Sequence, residues 1–276
     1  MKNFLSIGLV ALLLSSAPGL AGEVEVRALV ARKAAIIKTL HDKATLAIVQ
    51  VAQDPAFPTY FEAAHLGQHD HAHEAKARID NISLATQAKF QVEEMCLIDI
   101  NGAEVSRIVK NQIAYDLSLE EASAAFFAPS FARPPRSTYI APLYMSPDVD
   151  RWVLAYTTPI ELNGEKVAIL HYEHGLDTYQ DALSKEAPPA NTFVIAVDSN
   201  GYVVSDTRRA IPIEKRGESD EPGDYFEPFA FGGMDLERLT AANAPSSVAR
   251  VADKDGDYLV SYKTVADWTI VVGEKL

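Results

Sequence analysis

The chain has 276 residues, 48% of them hydrophobic, with a formal charge of −13 and a single cysteine. The hydrophobic content describes a globular chain and excludes a disordered one. The acidic balance excludes the basic face that nucleic acid or anionic lipid requires, and one cysteine excludes an internal disulfide.

The first segment reads as an export signal. Lys2 precedes an apolar run from Phe4 to Leu14, broken by Ser6 and Gly8, and small residues Gly19 and Ala21 stand just before a cleavage point. That is the layout of a secretory signal peptide. Its apolar run, about 11 residues, falls short of the roughly 20 that a membrane-spanning helix needs. Residues 1–21 are therefore expected to be removed on export to the periplasm. The mature chain, residues 22–276, is one unit more acidic because Lys2 is lost. No later stretch is long and apolar enough to span, so a soluble protein is expected.

Residues 23–53 are predicted to form a long amphipathic helix, with Val26, Val30, Ile37, Leu40, Ala44, Ile48 and Val51 recurring at three- and four-residue steps. Pro55 and Pro58 interrupt it, and a second helix is predicted over about 73–90. The period then changes. Residues 95–100 and 105–109 read as strands joined at Asn101-Gly102, the strongest hairpin signal a sequence offers. A short helix over 119–127 and a proline-rich loop over 128–136 follow. Strands are predicted over 138–144, 152–160 and 167–174, the last two joined at Asn163-Gly164. Cys96, in Met-Cys-Leu-Ile, reads as a packed, inert thiol, since reactivity requires exposure and a lowered pKa.

A helix over 177–183 and Ala-Pro-Pro-Ala then close the first unit, and the pattern restarts. Strands over 193–197 and 202–205 flank Asp198-Ser-Asn-Gly201. A loop-rich segment, 206–245, holds one helix near 236–242, and strands over 248–251, 258–265 and 268–272 close the chain. Ile98-Asp-Ile-Asn-Gly102 and Val197-Asp-Ser-Asn-Gly201 thus open two similar units. The expected division is a signal peptide at 1–21, a helical region at 22–92, and two α+β units at 93–186 and 187–276.

This order resembles the double Cache sensor domain of bacterial chemoreceptors and histidine kinases. The residues that carry the resemblance are Leu97-Ile-Asp-Ile-Asn-Gly102, Trp152-Val-Leu-Ala-Tyr-Thr-Thr-Pro-Ile160 with Gly164, and Ile169-Leu-His-Tyr-Glu-His174 in the first unit. In the second they are Val197-Asp-Ser-Asn-Gly-Tyr-Val203 and Tyr262 with Asp267-Trp268-Thr-Ile-Val271. The resemblance implies a long N-terminal helix followed by two PAS-like antiparallel-sheet units, and a small-molecule pocket in the membrane-distal unit. It places Phe126, Tyr139, Tyr144, Arg151, Trp152, Tyr156, His171 and Glu173 around that pocket, with Glu173 near the position that takes a ligand ammonium in amine-binding members. The cluster of Arg-x-x-Trp-Tyr type that marks amino-acid-binding members is missing, which argues against an α-amino acid. The implied partners are a small ligand and a membrane-bound sensor kinase, chemoreceptor or transporter.

Read without the family, the same aromatics give apolar walls with polar tips, Arg151 could pair an anion and Glu173 a cation, as in small-molecule sites. Strand aromatics also serve as core and cross-strand pairs. His65, His69, His71 and His73 form a second cluster. Imidazoles suit a divalent transition metal, and His65 with His69, or His69 with His73, would share one helical face. A solvated link between two helices is the favoured reading, with metal handling as the alternative function and a protein-binding scaffold as a third. Asp253-Lys-Asp-Gly-Asp257 begins like a calcium loop, but Thr264 stands where the twelfth, acidic ligand is needed. No linear catalytic motif or phosphate-binding glycine loop is present, so no enzyme and no resident cofactor are expected.

Overall fold

A computed structural model describes residues 18–276 except 91, 215, 216, 218, 243 and 244. Residues 1–17, most of the expected signal peptide, lie outside the described residues. Three helices come first: α1, Pro18–Val51; α2, Ala56–His65; and α3, His69–Phe90. Seven strands follow: β1, Glu94–Asp99; β2, Glu104–Val109; β3, Gln112–Ile113; β4, Tyr139–Ile140; β5, Tyr144–Ser146; β6, Arg151–Leu162; and β7, Glu165–Gly175. They form one antiparallel sheet in the order β3-β2-β1-β7-β6-β4, with β5 also pairing β6. A short helix α4, Phe127–Phe131, lies between β3 and β4, and α5, Leu176–Ser184, leaves the sheet. The rest comprises β8, Thr192–Val197; β9, Val203–Asp206; β10, Ala230–Phe231; β11, Met234–Asp235; α6, Leu236–Ala242; β12, Ala249–Asp253; β13, Gly256–Val265; and β14, Trp268–Lys275. The second main sheet runs β12-β13-β14-β8-β9.

The amphipathic stripe of α1 explains how the two sheets are joined. Val26, Leu29, Val30, Ala34, Ile37, Ala44 and Ile48 are buried in a core that also holds Leu154, Tyr156 and Tyr172 of the first sheet and Val194, Ala196 and Ile270 of the second. Each large apolar side chain buried this way contributes about 1.5–3 kcal/mol. Two polar residues interrupt the stripe. Lys33, fully buried, donates at 2.6 Å to the carbonyls of Leu183 and Glu186, satisfying the end of α5. His41 Nδ1 lies 2.5 Å from the Tyr156 hydroxyl, which lies 2.5 Å from that of Tyr179.

The two hairpins that open the sheets are built alike. Asp99 Oδ1 accepts from the Asn101 and Ala103 amides, and Asp198 Oδ1 from the Asn200 and Tyr202 amides. Gly102 and Gly201 both have φ of 86°, the left-handed region glycine adopts without strain.

Some expectations are corrected. The strand predicted over 138–144 is split into β4 and β5, because Pro142 offers no amide to the ladder. The helix predicted over 119–127 is only a single 3-10 turn at Glu121–Ser123. The following α4 lies where a loop was expected, with Pro129 in its first turn, where a missing amide costs nothing.

Candidate ligand site

Side chains alternate across a strand, and this decides which residues can meet. In the ladders, Glu173 of β7 faces Glu94 of β1 and Ala155 of β6; His171 faces Cys96 and Thr157. These residues share the sheet face turned away from α1. They floor a cavity of about 350 Å3, roofed by residues from 121–126, by Tyr144–Asp148 and by Asp220.

The inner wall is polar and buried. The Tyr144 hydroxyl donates to Glu173 Oε1 and lies 3.2 Å from His171 Nε2. Phe126 stacks on the His171 ring with centroids 4.4 Å apart. Glu173 is 2% exposed; the Ser146 hydroxyl lies beside its carboxylate, but Oε2 makes no well-formed hydrogen bond among the described residues, nor does His171 Nδ1. A buried oxygen of this kind carries its full desolvation cost until a donor arrives.

Among the described residues the charged lining is acidic: Glu94, Glu104, Glu121, Asp148, Glu173 and Asp220. The nearby guanidinium of Arg107 is already engaged. Its Nε donates to Glu94 Oε1 at 2.8 Å, its Nη1 to the Asp116 carbonyl at 3.0 Å, and its Nη2 to Asp148. Burial pushes Glu94 up to about 9, helped by the Glu173 charge, and Glu173 up to about 7. Burial also drives His171 down to about 3, so its 4.0 Å approach to Glu173 is a contact with a neutral ring. The site holds excess acid in low-dielectric surroundings, where an added positive charge is strongly favoured.

Of the side chains expected at the pocket, Phe126, Tyr144, His171 and Glu173 line this cavity. Tyr139 packs at its margin, over the Phe127 and Ala141 cluster, with the Arg133 guanidinium above its ring. Trp152 and Tyr156 do not reach it. Both are even-numbered on β6, so the pleat turns them to the α1 face, Trp152 against Tyr225 and Phe226, and Tyr156 against His41 and Tyr172. Arg151 is likewise elsewhere, bridging Glu93 at 2.6 Å and Asp177 at the start of α5. Glu94, Cys96, Glu104 and Asp148 were not anticipated as lining. The available signal was a pair of glutamates inside otherwise apolar strand segments.

The four histidines do not share one helix. His65 ends α2 and His69 begins α3, and Gly67 between them, with φ of 66°, breaks the continuous helix that the first pair required, whereas His69 and His73 stand one turn apart on α3. All four, His65, His69, His71 and His73, are exposed. Among the described residues, three metal-ligating atoms gather only at Glu94, Cys96 and Glu104.

The long helix laid across two antiparallel PAS-like sheets, with a cavity in the first unit, is the architecture of a double Cache sensor domain. Solved structures with this architecture match nearly the whole chain. The sensory domain of the Campylobacter jejuni chemoreceptor Tlp3 with isoleucine bound superposes with a TM-score of 0.70 at 12% identity, covering 93% of this chain and 94% of that one. The sensor domain of the V. cholerae histidine kinase DctB gives 0.61 at 14% identity, covering 93% and 98%. The ligand-binding domain of the Pseudomonas fluorescens chemoreceptor CtaA in complex with L-serine gives 0.60 at 12% identity, covering 92% and 96%. No family model matches the sequence, and no curated protein matches it. Among the described residues no helix is long and apolar enough to cross a membrane.

Proposed function

We propose that the chain is a periplasmic small-molecule binding protein of double Cache type. Its ligand is a small organic amine, bound in the cavity of the first unit and presented to a membrane-bound sensor kinase, chemoreceptor or transporter. The observation that carries the ligand class is the acidic charged lining around Glu173 Oε2, which lacks a well-formed hydrogen bond among the described residues. An ammonium group would donate to Glu173 while Phe126 and Tyr144 enclose its carbon skeleton, a cation beside aromatic faces. Among the described residues the same lining disfavours an α-amino acid, because Arg107 is occupied and no other cation of those residues lines the cavity to take the carboxylate. Export is supported by the composition of residues 1–21, and the sensing role by the kind of protein that shares the fold.

The test is a thermal-shift and calorimetric screen of residues 22–276 against primary mono- and diamines, with their α-carboxylated counterparts alongside. A ligand at 100 times its dissociation constant stabilises the fold by about 2.7 kcal/mol. Amines should shift the melting temperature, the carboxylated counterparts should not, and Glu173→Gln should remove the shift. Equal shifts from amine and amino acid, or an amine shift that survives Glu173→Gln, would overturn this reading.

A further inference from the structure

The floor of the cavity beside Glu173 has a chemistry that an organic amine does not require. Cys96 Sγ lies 3.2 Å from Glu94 Oε1 and 3.2 Å from Glu104 Oε1, and all three residues are buried. A thiol has one proton to donate, so it cannot satisfy both carboxylates. Each of the three groups is pushed upward, Cys96 and Glu104 chiefly by burial and Glu94 to about 9. Glu173, directly across the ladder from Glu94, adds to the same cavity a buried oxygen without a well-formed hydrogen bond among the described residues.

We propose that Glu94, Cys96 and Glu104 form a binding site for a divalent transition metal of the zinc class. At tetrahedral angles a zinc-class ion about 2.3 Å from sulfur and about 2.1 Å from oxygen sets the two roughly 3.6 Å apart. The 3.2 Å contacts therefore open by about 0.4 Å when the ion enters. A thiolate selects zinc or cobalt over the hard cations magnesium and calcium. A divalent ion offsets two of the three negative charges of the deprotonated ligands, and Arg107 lies beside Glu94. The outer contacts are those expected around metal ligands. Arg107 Nε–H holds Glu94 at 2.8 Å, and the Ser118 amide holds Glu104 Oε2 at 2.6 Å, leaving Oε1 toward the sulfur. The ion displaces the thiol and carboxyl protons to solvent, so affinity rises with pH. Its remaining coordination position faces the cavity. The site goes beyond the amine reading and does not depend on it.

The test is a titration of the full chain with Co2+ alone, followed by near-ultraviolet absorption. Cys96 is the only cysteine, so a sulfur-to-cobalt charge-transfer band reports this site and no other. One equivalent should bind with that band. Cys96→Ser should remove it while circular dichroism shows the variant still folded, and Glu104→Gln, which keeps the sulfur, should weaken binding at least tenfold. A variant with His69 and His73 replaced by alanine should keep the band. Cobalt binding without the band, or no binding at micromolar protein and millimolar Co2+, would overturn the proposal. Because the band is read without any amine present, its absence would leave the amine screen standing, and the reverse.

Discussion

At the scale of single residues, the buried titratable groups give the molecule a pH dependence with two limbs. Burial holds His41 at about 4, His171 at about 3 and His174 at about 4, against 6.5 for the free side chain. As pH falls below 6.5 the unfolded chain takes up these protons and the folded chain does not, so stability is lost toward acid. Glu173 and Glu94, raised from 4.5 to about 7 and about 9, behave oppositely. They keep their protons in the fold while the unfolded chain releases them, so their contribution is present at acid pH and lost as pH rises to about 7 and 9. Each group changes stability by about 1.4 kcal/mol per pH unit within its window. Glu93, Glu104 and Asp198 are raised by burial in the same direction. Above 6.5 the histidines no longer contribute, so the ligand-free protein should lose stability from pH 6.5 to 8.5, and Glu94→Gln should reduce that decline. Urea denaturation at pH 5, 6.5 and 8.5 checks this; a wild-type stability still climbing at 8.5 would mean both carboxyls are ionised in the fold.

At the scale of elements, the two opening hairpins share a turn but not its surroundings. Gly102 and Gly201 have the same φ of 86°. A Cβ at Gly102 would lie 2.3 Å from the Ala122 backbone nitrogen, in the 3-10 turn of the cavity roof, whereas a Cβ at Gly201 meets nothing within 4 Å. Gly201→Ala should cost about 1 kcal/mol, the left-handed backbone penalty alone. Gly102→Ala adds a backbone clash and should cost roughly 3 kcal/mol. Paired denaturation curves measure both, and equal losses would show that the roof yields freely. The repeated Asp-x-x-Gly could be read from the sequence. The unequal cost could not, because Ala122 is brought to Gly102 by a loop whose path no local propensity dictates.

At the scale of the molecule, α1 is the common support of both sheets, and one apolar core runs from Val26 to Ile48 beneath them. His41 marks the crossing, in contact with Tyr156 of the first sheet and Trp268 of the second. Two units sharing a core unfold together. The two tryptophans, one in each sheet, make this measurable: Trp152→Phe leaves the second sheet's reporter and Trp268→Phe the first's. Each variant's fluorescence transition should coincide with its own far-ultraviolet circular-dichroism transition. A fluorescence transition separated from the dichroism by more than a few degrees would show that the sheets melt independently.

By itself the sequence determined most of the long elements and their kind, but not α2, α4 or the break between β4 and β5. The heptad-like stripe of α1, the Asn-Gly turns and the alternating strands are local patterns set by side-chain period and backbone preference, and they were legible up to the ends of the elements. The resemblance added the order of the two units and placed Phe126, Tyr144, His171 and Glu173 near a pocket. Only the tertiary structure decided which face each strand presents. Tyr156 and His171 are equally plausible in a linear reading, but the pleat sends the first to α1 and the second to the cavity. Pairing β1 against both β2 and β7 brings Glu94, Cys96, Glu104 and Glu173 together from three strands. Such a convergence depends on long-range register, which leaves no trace in local composition. The histidine cluster is split: Gly67 turns the chain between His65 and His69, while His69 and His73 keep the one-turn spacing on α3 that the sequence implied.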